Sequence, residues 1–333
     1  MQVRFWNLYG QKQVIAGIIK YYGIRGKSYA GQTDSPMETM EILGMITLSD
    51  YLKTTFGCKV YKIAINAGFT CPNRDGTKGE RGCIFCSAGG SGDFAGDPAQ
   101  SVSRQIEEGK KLVGSKIKDG KYIAYFQAYT NTYAPVEKLR ELYKEAIDHP
   151  DIVAISIATR PDSLPDEVLD LLEEINAIKP VWVELGLQTI HEKSIRYIRR
   201  SYENAEYDRA IKELKRRGIE VITHVILGLP GEREEDMLST VRYVADSGAD
   251  GIKLQLLHVL RGTDLEIEYE NGLFEALTED EYIAILKKCM RIIPDGMVVH
   301  RLTGDGPKKI LLAPLWSADK KHVLNRINKE VIG

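Results

Sequence analysis

The feature that most limits the fold of this chain is a sixfold alternation of short apolar segments with amphipathic segments. The apolar segments are rich in β-branched residues and recur at intervals of roughly 30–40 residues, which is typical of strands joined by crossover helices. We therefore predict parallel strand–helix units with right-handed crossovers. The six predicted strands are Val60–Ile65, Tyr122–Phe126, Ile152–Ile157, Val181–Leu187, Glu220–Leu227 and Gly251–Leu256.

Two architectures accommodate such units, a barrel and a doubly wound sheet. A doubly wound sheet that binds a dinucleotide carries G-x-G-x-x-G after its first strand, and here that strand is followed by Asn66-Ala-Gly68 and a loop rich in cysteine. We therefore predict an α/β fold with a partial parallel (β/α)6 barrel. Beyond the sixth strand the pattern loosens, and we predict helices over 278–292 and 320–331 and a strand over 297–301, which together form a C-terminal α/β extension.

The ends of the chain differ from its middle. The first 33 residues contain no Asp or Glu, a bias shared with transit peptides. We favour instead a start site assigned too far upstream, with Met37, Met40 or Met45 as the true start. The predicted domains are a poorly packed N-terminal extension over 1–44, the partial barrel over 45–260, and an extension that closes the barrel over 261–333.

Charge and hydropathy limit the class of protein. The net charge of the 333 residues is −2, so no global positive field indicates a nucleic-acid partner. No apolar run reaches the roughly 18 residues of a membrane span, and we expect a cytoplasmic protein without one. Two local basic clusters remain as candidate phosphate contacts or solvated helix faces: Lys212, Lys215, Arg216 and Arg217, and Arg301, Lys308, Lys309, Lys320 and Lys321.

Three of the five cysteines lie within sixteen residues, on a Pro-, Gly-, Asp- and Asn-rich loop after the first strand. Cys83 and Cys86 form a C-x2-C pair, and Cys71 precedes it. Three thiolates leave one position of a metal site open, whereas structural zinc sites use four ligands. A zinc ion completed by a distant His remains the alternative. The odd number of cysteines argues against disulfides, and Cys58 and Cys289 are expected to be ordinary half-buried side chains.

Polar residues follow the ends of the predicted strands, which meet at one mouth in a parallel barrel. The fourth strand is the most informative, because Glu184 and Gln188 alternate with apolar neighbours. The outer face must be apolar to pack helices, so we predict that both side chains point into the barrel. A salt bridge that fills the interior is the alternative role for Glu184.

With these motifs in view, the chain resembles radical SAM enzymes, which use S-adenosylmethionine (SAM), and within them the YhcC-like family, distant relatives of the Elongator catalytic subunit. The resemblance covers about 45–330. Two departures are an eleven-residue gap before the C-x2-C pair and Ala128-Tyr-Thr-Asn-Thr132 in place of a Gly-Gly-Glu element. The matching segments are 68–77, Phe85, 126–135, 159–162, Glu184-Leu-Gly-Leu-Gln188 and Ile226-Leu-Gly-Leu-Pro-Gly-Glu232.

The resemblance implies a cofactor set and a group of site residues. Cys71, Cys83 and Cys86 would hold a [4Fe-4S] cluster whose open iron binds SAM, and a flavodoxin or ferredoxin would supply the electron. Phe85 would pack by the adenine, or serve loop packing alone. Arg200 would bind the SAM carboxylate, or belong to a solvated run with Arg196 and Arg199. The implied SAM-binding residues are Phe85, Thr130, Asn131, Glu184, Gln188, Arg200 and Gly228.

The resemblance also implies a substrate, the wobble uridine of tRNA. The reaction would remove the carboxymethyl group from the nitrogen of a carboxymethylaminomethyl side chain at carbon 5 and leave an aminomethyl group. A radical SAM enzyme acting on a small metabolite or a protein is one alternative. A non-catalytic, zinc-stabilised RNA-binding module is the other.

Overall fold

The structure, a computed structural model, describes residues 45–114 and 120–333. Its centre is a parallel eight-stranded sheet, and a two-stranded antiparallel ribbon lies beside it. The strands are β1 (Ile46–Thr47), β2 (Val60–Ile65), β3 (Lys121–Phe126), β4 (Ile152–Thr159), β5 (Val181–Gln188), β6 (Glu220–Leu227), β7 (Gly251–Leu256), β8 (Val259–Leu260), β9 (Val298–Arg301) and β10 (Leu311–Ala313). The large sheet has the order β1-β9-β7-β6-β5-β4-β3-β2, and β8 pairs with β10. This confirms the predicted partial parallel barrel.

Ten α-helices accompany these strands in the described residues. Most of them connect successive strands and cover the outer face of the sheet, where they bury a continuous apolar core. The helices are α1 (Leu48–Phe56), α2 (Val102–Val113), α3 (Val136–Asp148), α4 (Asp166–Asn176), α5 (Glu192–Tyr197), α6 (Asn204–Arg216), α7 (Glu234–Asp246), α8 (Asp264–Glu270), α9 (Glu279–Met290) and α10 (Lys320–Ile327). None of the helices in 45–114 and 120–333 is long and apolar enough to cross a bilayer.

Two helix ends show how local residues set the limits of an element. The helix after the cysteine loop begins at Val102, because the Ser101 hydroxyl accepts the backbone N–H of Arg104 at 3.2 Å. The terminal helix expected to reach Val331 gives way to a π-helical turn over Asn328–Ile332. The expectation of a poorly packed extension over 1–44 lies outside the described residues.

The C-terminal extension contributes a strand to the barrel sheet. β9 lies between β7 and β1 and is parallel to both, with Val298 opposite Ile46 on one side and opposite Gly251 on the other. The sheet therefore crosses the domain boundary expected at residue 260. The first and last strands of the sheet in sequence are hydrogen-bonded neighbours.

The interior of the barrel has layers along the strand direction. Near the start of the strands, a small apolar cluster closes the bottom, and α1 supplies Leu52 to it. On β5, Val183, Leu185 and Leu187 belong to the outer core under the helices. The alternate residues of the same strand line a cavity that opens at the strand ends. A third apolar cluster joins the cysteine loop to the C-terminal extension.

Candidate active site

A cavity of about 1220 Å³ occupies the mouth and upper interior of the barrel. Its wall includes all three cysteines of the loop after β2. Nine Lys and Arg residues and four Asp and Glu residues contribute to that wall, in a chain whose net charge is −2. Positive charge is therefore concentrated in the cavity, which favours anionic ligands.

The backbone of the cysteine loop is folded tightly on itself. The Cys71 carbonyl accepts the N–H groups of Arg74 and Asp75 at 2.8 and 3.2 Å, and Gly82 N–H donates to Asn73 O at 2.7 Å. Gly82 has a φ of +73°, and a Cβ there would lie 2.8 Å from Arg74 Nε. Glycine is therefore required for the Arg74 side chain to cross the loop.

Two polar side chains of this loop fix the cysteines. Asn73 Nδ2 donates to Arg199 O at 2.6 Å and lies 3.5 Å from Cys83 Sγ. The Arg74 guanidinium donates to the carbonyls of Cys86 and Ser87 at 2.9 and 2.7 Å. Both side chains leave the thiols themselves facing the cavity.

The thiols repel one another as anions. Burial raises the pKa of Cys83 to about 12, and the neighbouring Cys86 and Cys71 act in the same direction. Burial also raises the pKa of Cys86, although the Arg74 guanidinium opposes this shift. Three adjacent thiols of this kind ionise readily once a cationic group binds them.

The three thiols are the candidate ligands of a metal group. All three side chains lie on the cavity wall, and Cys83 is close enough to Cys86 and Cys71 for each to raise its pKa further. Three thiolates that leave one position open would suit a [4Fe-4S] cluster.

The C-terminal extension braces the cysteine loop. Ile84 N–H donates to Ile198 O at 3.3 Å, and Ile84 O accepts the N–H of Leu265 at 3.1 Å. Asp264 pairs with Arg81 and Arg199 at 2.6 and 2.5 Å. Phe85 lines the cavity and packs at the edge of the same apolar cluster as Ile84 and Leu265. Its two expected roles, cofactor packing and loop packing, are therefore compatible.

Two of the expected SAM-binding residues lie at the strand ends on the cavity wall. Thr130 N–H donates to Thr70 O at 3.2 Å, which ties the end of β3 to the residue before Cys71. Gln188, the last residue of β5, has a φ of +69°. Gln188 and Glu184 both line the cavity, which confirms that they point into the barrel.

The structure gives Arg200 a different role from the expected contact with the SAM carboxylate. A guanidinium has five N–H donors, and five contacts of 2.8–3.1 Å account for them. Two acceptors are the carbonyls on either side of Gln188, so Arg200 holds that residue in its left-handed conformation. The acceptors are Leu187 O, Thr189 O, Tyr202 O, which accepts from both Nε and Nη2, and Asn204 Oδ1.

Two further residues lie behind the cavity wall. Asn131 is fully buried, and its Nδ2 donates to Ala158 O at 2.8 Å. Its Oδ1 has no hydrogen-bond partner among the described residues. Gly228 has a φ of +90°, and a Cβ there would lie 2.9 Å from Leu277 Cδ1. The close approach that requires glycine is therefore made by Leu277, whereas the sequence favoured an approach by the cofactor.

Below the strand ends, a set of polar side chains from five other strands converges on Glu184 of β5. We call it the inner charged layer. Glu184 Oε1 accepts Lys62 Nζ at 2.5 Å and Ser156 Oγ at 2.7 Å. Its Oε2 lies 2.7 Å from His224 Nε2 and also accepts Lys253 Nζ. The layer consists of Lys62, Tyr125, Ser156, Glu184, His224 and Lys253.

The charges of the layer follow from its burial and its partners. Burial opposes ionisation of Glu184, but Lys253 and Lys62 hold its pKa well below the usual range. Burial lowers the pKa of His224 to about 4, so this imidazole is neutral. Burial, together with repulsion from Lys62 and Arg301, lowers the pKa of Lys253 to about 7, although Glu184 opposes the shift. Two lysine side chains thus share one carboxylate.

Alternation on β5 predicted Glu184 inside the barrel, whereas Lys62 and Lys253 were not predicted there. A signal was present, because each is the only charged residue of its strand, and lysine is rarely buried without a partner. Arg160, from the matching segment 159–162, also lines the cavity. Its guanidinium is paired with both oxygens of Asp162 at 2.8 and 2.9 Å, and Lys78 of the cysteine loop joins the same carboxylate.

Comparison with known proteins shows the family to which the chain belongs. The family model of the Radical SAM superfamily matches residues 70–244, and that of the Radical_SAM C-terminal domain matches 249–332. Bacillus subtilis YtqA is 49% identical over 86% of this chain and 88% of its own length. Escherichia coli YhcC is 38% identical over 81% of this chain and 86% of its own length.

More distant relatives match with lower identity. The tRNA uridine(34) acetyltransferase of Methanocaldococcus jannaschii is 27% identical over 48% of this chain and 30% of its own length. Among solved structures, Methanocaldococcus infernus Elp3 with an N-terminal deletion superposes with a TM-score of 0.61 and 18% identity. The match covers 82% of this chain and 64% of that one, and it shows the same fold.

The family models span most of the barrel and the extension, and the two relatives cover 86% and 81% of the chain. The chain is therefore an enzyme of the radical SAM superfamily, and within it a member of the family of YhcC and YtqA.

Proposed function

We propose that this enzyme modifies the wobble uridine of tRNA and converts a carboxymethylaminomethyl side chain at carbon 5 into an aminomethyl side chain. The observation that carries the proposal is the cavity, which combines three cysteines with nine Lys and Arg residues against four Asp and Glu residues. A substrate with a carboxylate on a polyanionic backbone matches that charge. The distant relative whose name specifies uridine 34 of tRNA supports the choice of nucleoside.

The cysteines would hold a [4Fe-4S] cluster, and SAM would bind beside it at the rim formed by Thr130 and Gln188. When bound, this pair supplies a carbon-centred radical that takes a hydrogen atom from the substrate. The chain itself positions the groups and excludes water. Asn73 and Arg74 hold the loop that presents the thiols, and Arg200 holds the backbone of Gln188. A flavodoxin- or ferredoxin-type reductant would supply the electron.

The two basic clusters of the sequence separate in the structure. Three cations of the cluster on and after α6 are paired with acidic neighbours, namely Lys215 with Asp250, and Arg216 and Arg217 with Glu213. The C-terminal cluster lies at the cavity, whose wall includes Arg301, Lys308, Lys309 and Lys320. Arg301 and Lys320 share Asp305 there, so two cations face one carboxylate. The second cluster is therefore the one we assign to tRNA phosphates.

The test is the nucleoside composition of tRNA from a strain in which the gene is deleted, measured by mass spectrometry. We expect carboxymethylaminomethyluridine to accumulate and the aminomethyl product and its derivatives to disappear. Complementation with the wild-type gene should restore the profile, and complementation with the Cys83→Ser variant should not. An unchanged wobble nucleoside profile would reject the tRNA substrate in favour of a small-molecule or protein substrate.

A further inference from the structure

The inner charged layer has unused hydrogen-bonding capacity on the cavity wall. An ammonium group has three N–H donors. Among the described residues, Lys62 Nζ has two acceptors, Glu184 and Ser156. Lys253 Nζ likewise has Glu184 and, at 3.4 Å, Tyr125 OH. Each ammonium therefore retains one donor, and both side chains line the cavity.

The two amino groups are near each other. Lys62 and Lys253 contact the two different oxygens of one carboxylate, that of Glu184, and both border the same cavity. The neighbouring His300 adds a further polar atom without a partner in the described residues, its buried Nδ1. Arg301, opposite Lys253 in the register, is 3.5 Å from Asp305. Positive charge and N–H donors therefore outnumber carboxylate acceptors on this part of the cavity wall.

We propose that Lys62 and Lys253 bind a carboxylate of the substrate inside the barrel, and that Glu184 holds the two ammonium groups in position for it. The identity of the anion rests on the proposed function, because a carboxymethylaminomethyl side chain ends in a carboxylate. The site recognises the group that distinguishes substrate from product, so it would determine specificity.

Depth in the barrel separates this site from the cofactor. Lys62 lies three residues before the end of β2, Lys253 three before the end of β7, and Glu184 four before the end of β5. At about 3.3 Å per residue, the layer is roughly 10 Å below the strand ends. The cysteines, Thr130 and Gln188 are at or beyond those ends, where SAM would bind.

A bound carboxylate would also relieve the charge imbalance at Lys253, whose pKa burial lowers to about 7. An added anion favours the protonated amine, so binding should take up a proton, and affinity should fall as pH rises above 7. The charged and titratable groups that face Lys253 are Lys62, Tyr125, Glu184, His224, His300 and Arg301.

The first experiment uses the cluster-loaded enzyme with SAM and compares the dissociation constants of two nucleosides, 5-carboxymethylaminomethyluridine and 5-aminomethyluridine. We expect at least tenfold tighter binding of the carboxylate, equivalent to about 1.4 kcal/mol. Lys253→Met and Lys62→Met should each reduce this preference to less than twofold and leave the affinity for SAM unchanged. Lys287→Met, which alters an exposed lysine outside the cavity wall, should retain the full preference.

A second experiment does not depend on the nucleoside. Lys253 is acetylated with acetic anhydride in the presence of one added compound at a time, and mass spectrometry measures the extent of acetylation. The compounds are N-benzylglycine, N-benzylmethylamine, which lacks the carboxylate, and inorganic phosphate. We expect at least tenfold protection by N-benzylglycine alone. Protection by SAM alone, or stronger protection by phosphate, would overturn the proposal. If N-benzylglycine protects Lys253 but tRNA from the deletion strain is unchanged, the carboxylate site is supported and the tRNA substrate is rejected.

Discussion

The rim of the barrel and the inner charged layer are both polar, yet they are constructed in different ways. The rim consists of loops, and its geometry depends on Asn73, Arg74 and Arg200, whose donors are directed largely at backbone carbonyls. The inner layer consists of side chains on neighbouring strands that bind one another around Glu184. Loops can accommodate an external cofactor. Strands instead fix charges in place, and here the carboxylate that neutralises Lys62 and Lys253 is Glu184 of the same layer. The rim should therefore govern cofactor content, and the layer should govern stability and substrate selection.

The strongest test of this separation is loss of a cysteine. In Cys83→Ser, we expect iron content, the absorbance near 400 nm that a cluster produces, and SAM cleavage to fall to background, because a hydroxyl is a poor ligand for cluster iron. The urea midpoint of the apoprotein should stay close to that of the wild type. Cys58→Ser is the control, since Cys58 packs below the barrel and should retain the cluster. A fully loaded Cys83→Ser enzyme would contradict the assignment.

Substitution of Glu184 should lower stability and leave the cluster content unchanged, the reverse of the effect expected for Cys83→Ser. Glu184→Gln leaves Lys62 and Lys253 buried without their carboxylate, and we expect a loss of about 3 kcal/mol in the free energy of unfolding, measured with urea. The iron content of the variant that remains folded should be unchanged. Glu192→Gln removes an exposed carboxylate paired with Arg196 and should change stability by less than about 0.5 kcal/mol. Comparable effects of the two variants would show that the layer is solvated.

A pH titration sharpens the description of the layer. Folding lowers the pKa of Lys253 from 10.5 to about 7. Between these values the unfolded chain binds more protons than the native state, so stability contributed by this lysine rises with pH. The stability of the wild type relative to Lys253→Met should rise by up to about 1.4 kcal/mol per pH unit in that window. A difference that is constant from pH 7 to 10 would mean that Lys253 stays protonated throughout.

The smallest effect concerns a glycine near the rim. Gly228→Ala and Gly231→Ala both place a side chain at positive φ, which costs roughly 1 kcal/mol. Gly228→Ala also meets Leu277, whereas a Cβ at Gly231 has nothing within 4 Å, so thermal denaturation should show the larger loss for Gly228→Ala. The affinity for SAM should be unchanged in both. A selective loss of SAM binding in Gly228→Ala would instead support the role expected from the sequence, in which SAM approaches the backbone at Gly228.

Periodicity predicted the fold because it is a local property. Alternation on β5 sufficed to place Glu184 and Gln188 inside the barrel, and six strand–helix units sufficed for the parallel sheet. The position of β9 was beyond this reasoning, because its neighbours β1 and β7 are distant in sequence. No local pattern specifies such a pairing.

The site was predictable where residue type alone implies chemistry, as for the three cysteines. A residue of the site was not predictable where its role depends on the backbone conformation of a loop. Arg199 and Ser201 have φ values of +58°, and this turn directs the Arg200 side chain toward the carbonyls flanking Gln188. The sequence shows three arginines in a short run and does not show which of them is buried.

The pairing of β1 with β9 also has a consequence for biosynthesis. Residues 46–47 emerge from the ribosome some 250 residues before the strand beside which they come to lie. Until residue 301 has been translated, the first strand lacks this hydrogen-bonding neighbour, and the cysteine loop lacks Leu265 and Asp264 for most of that time. Because most of the chain must be made before the loop is braced, cluster insertion should follow translation.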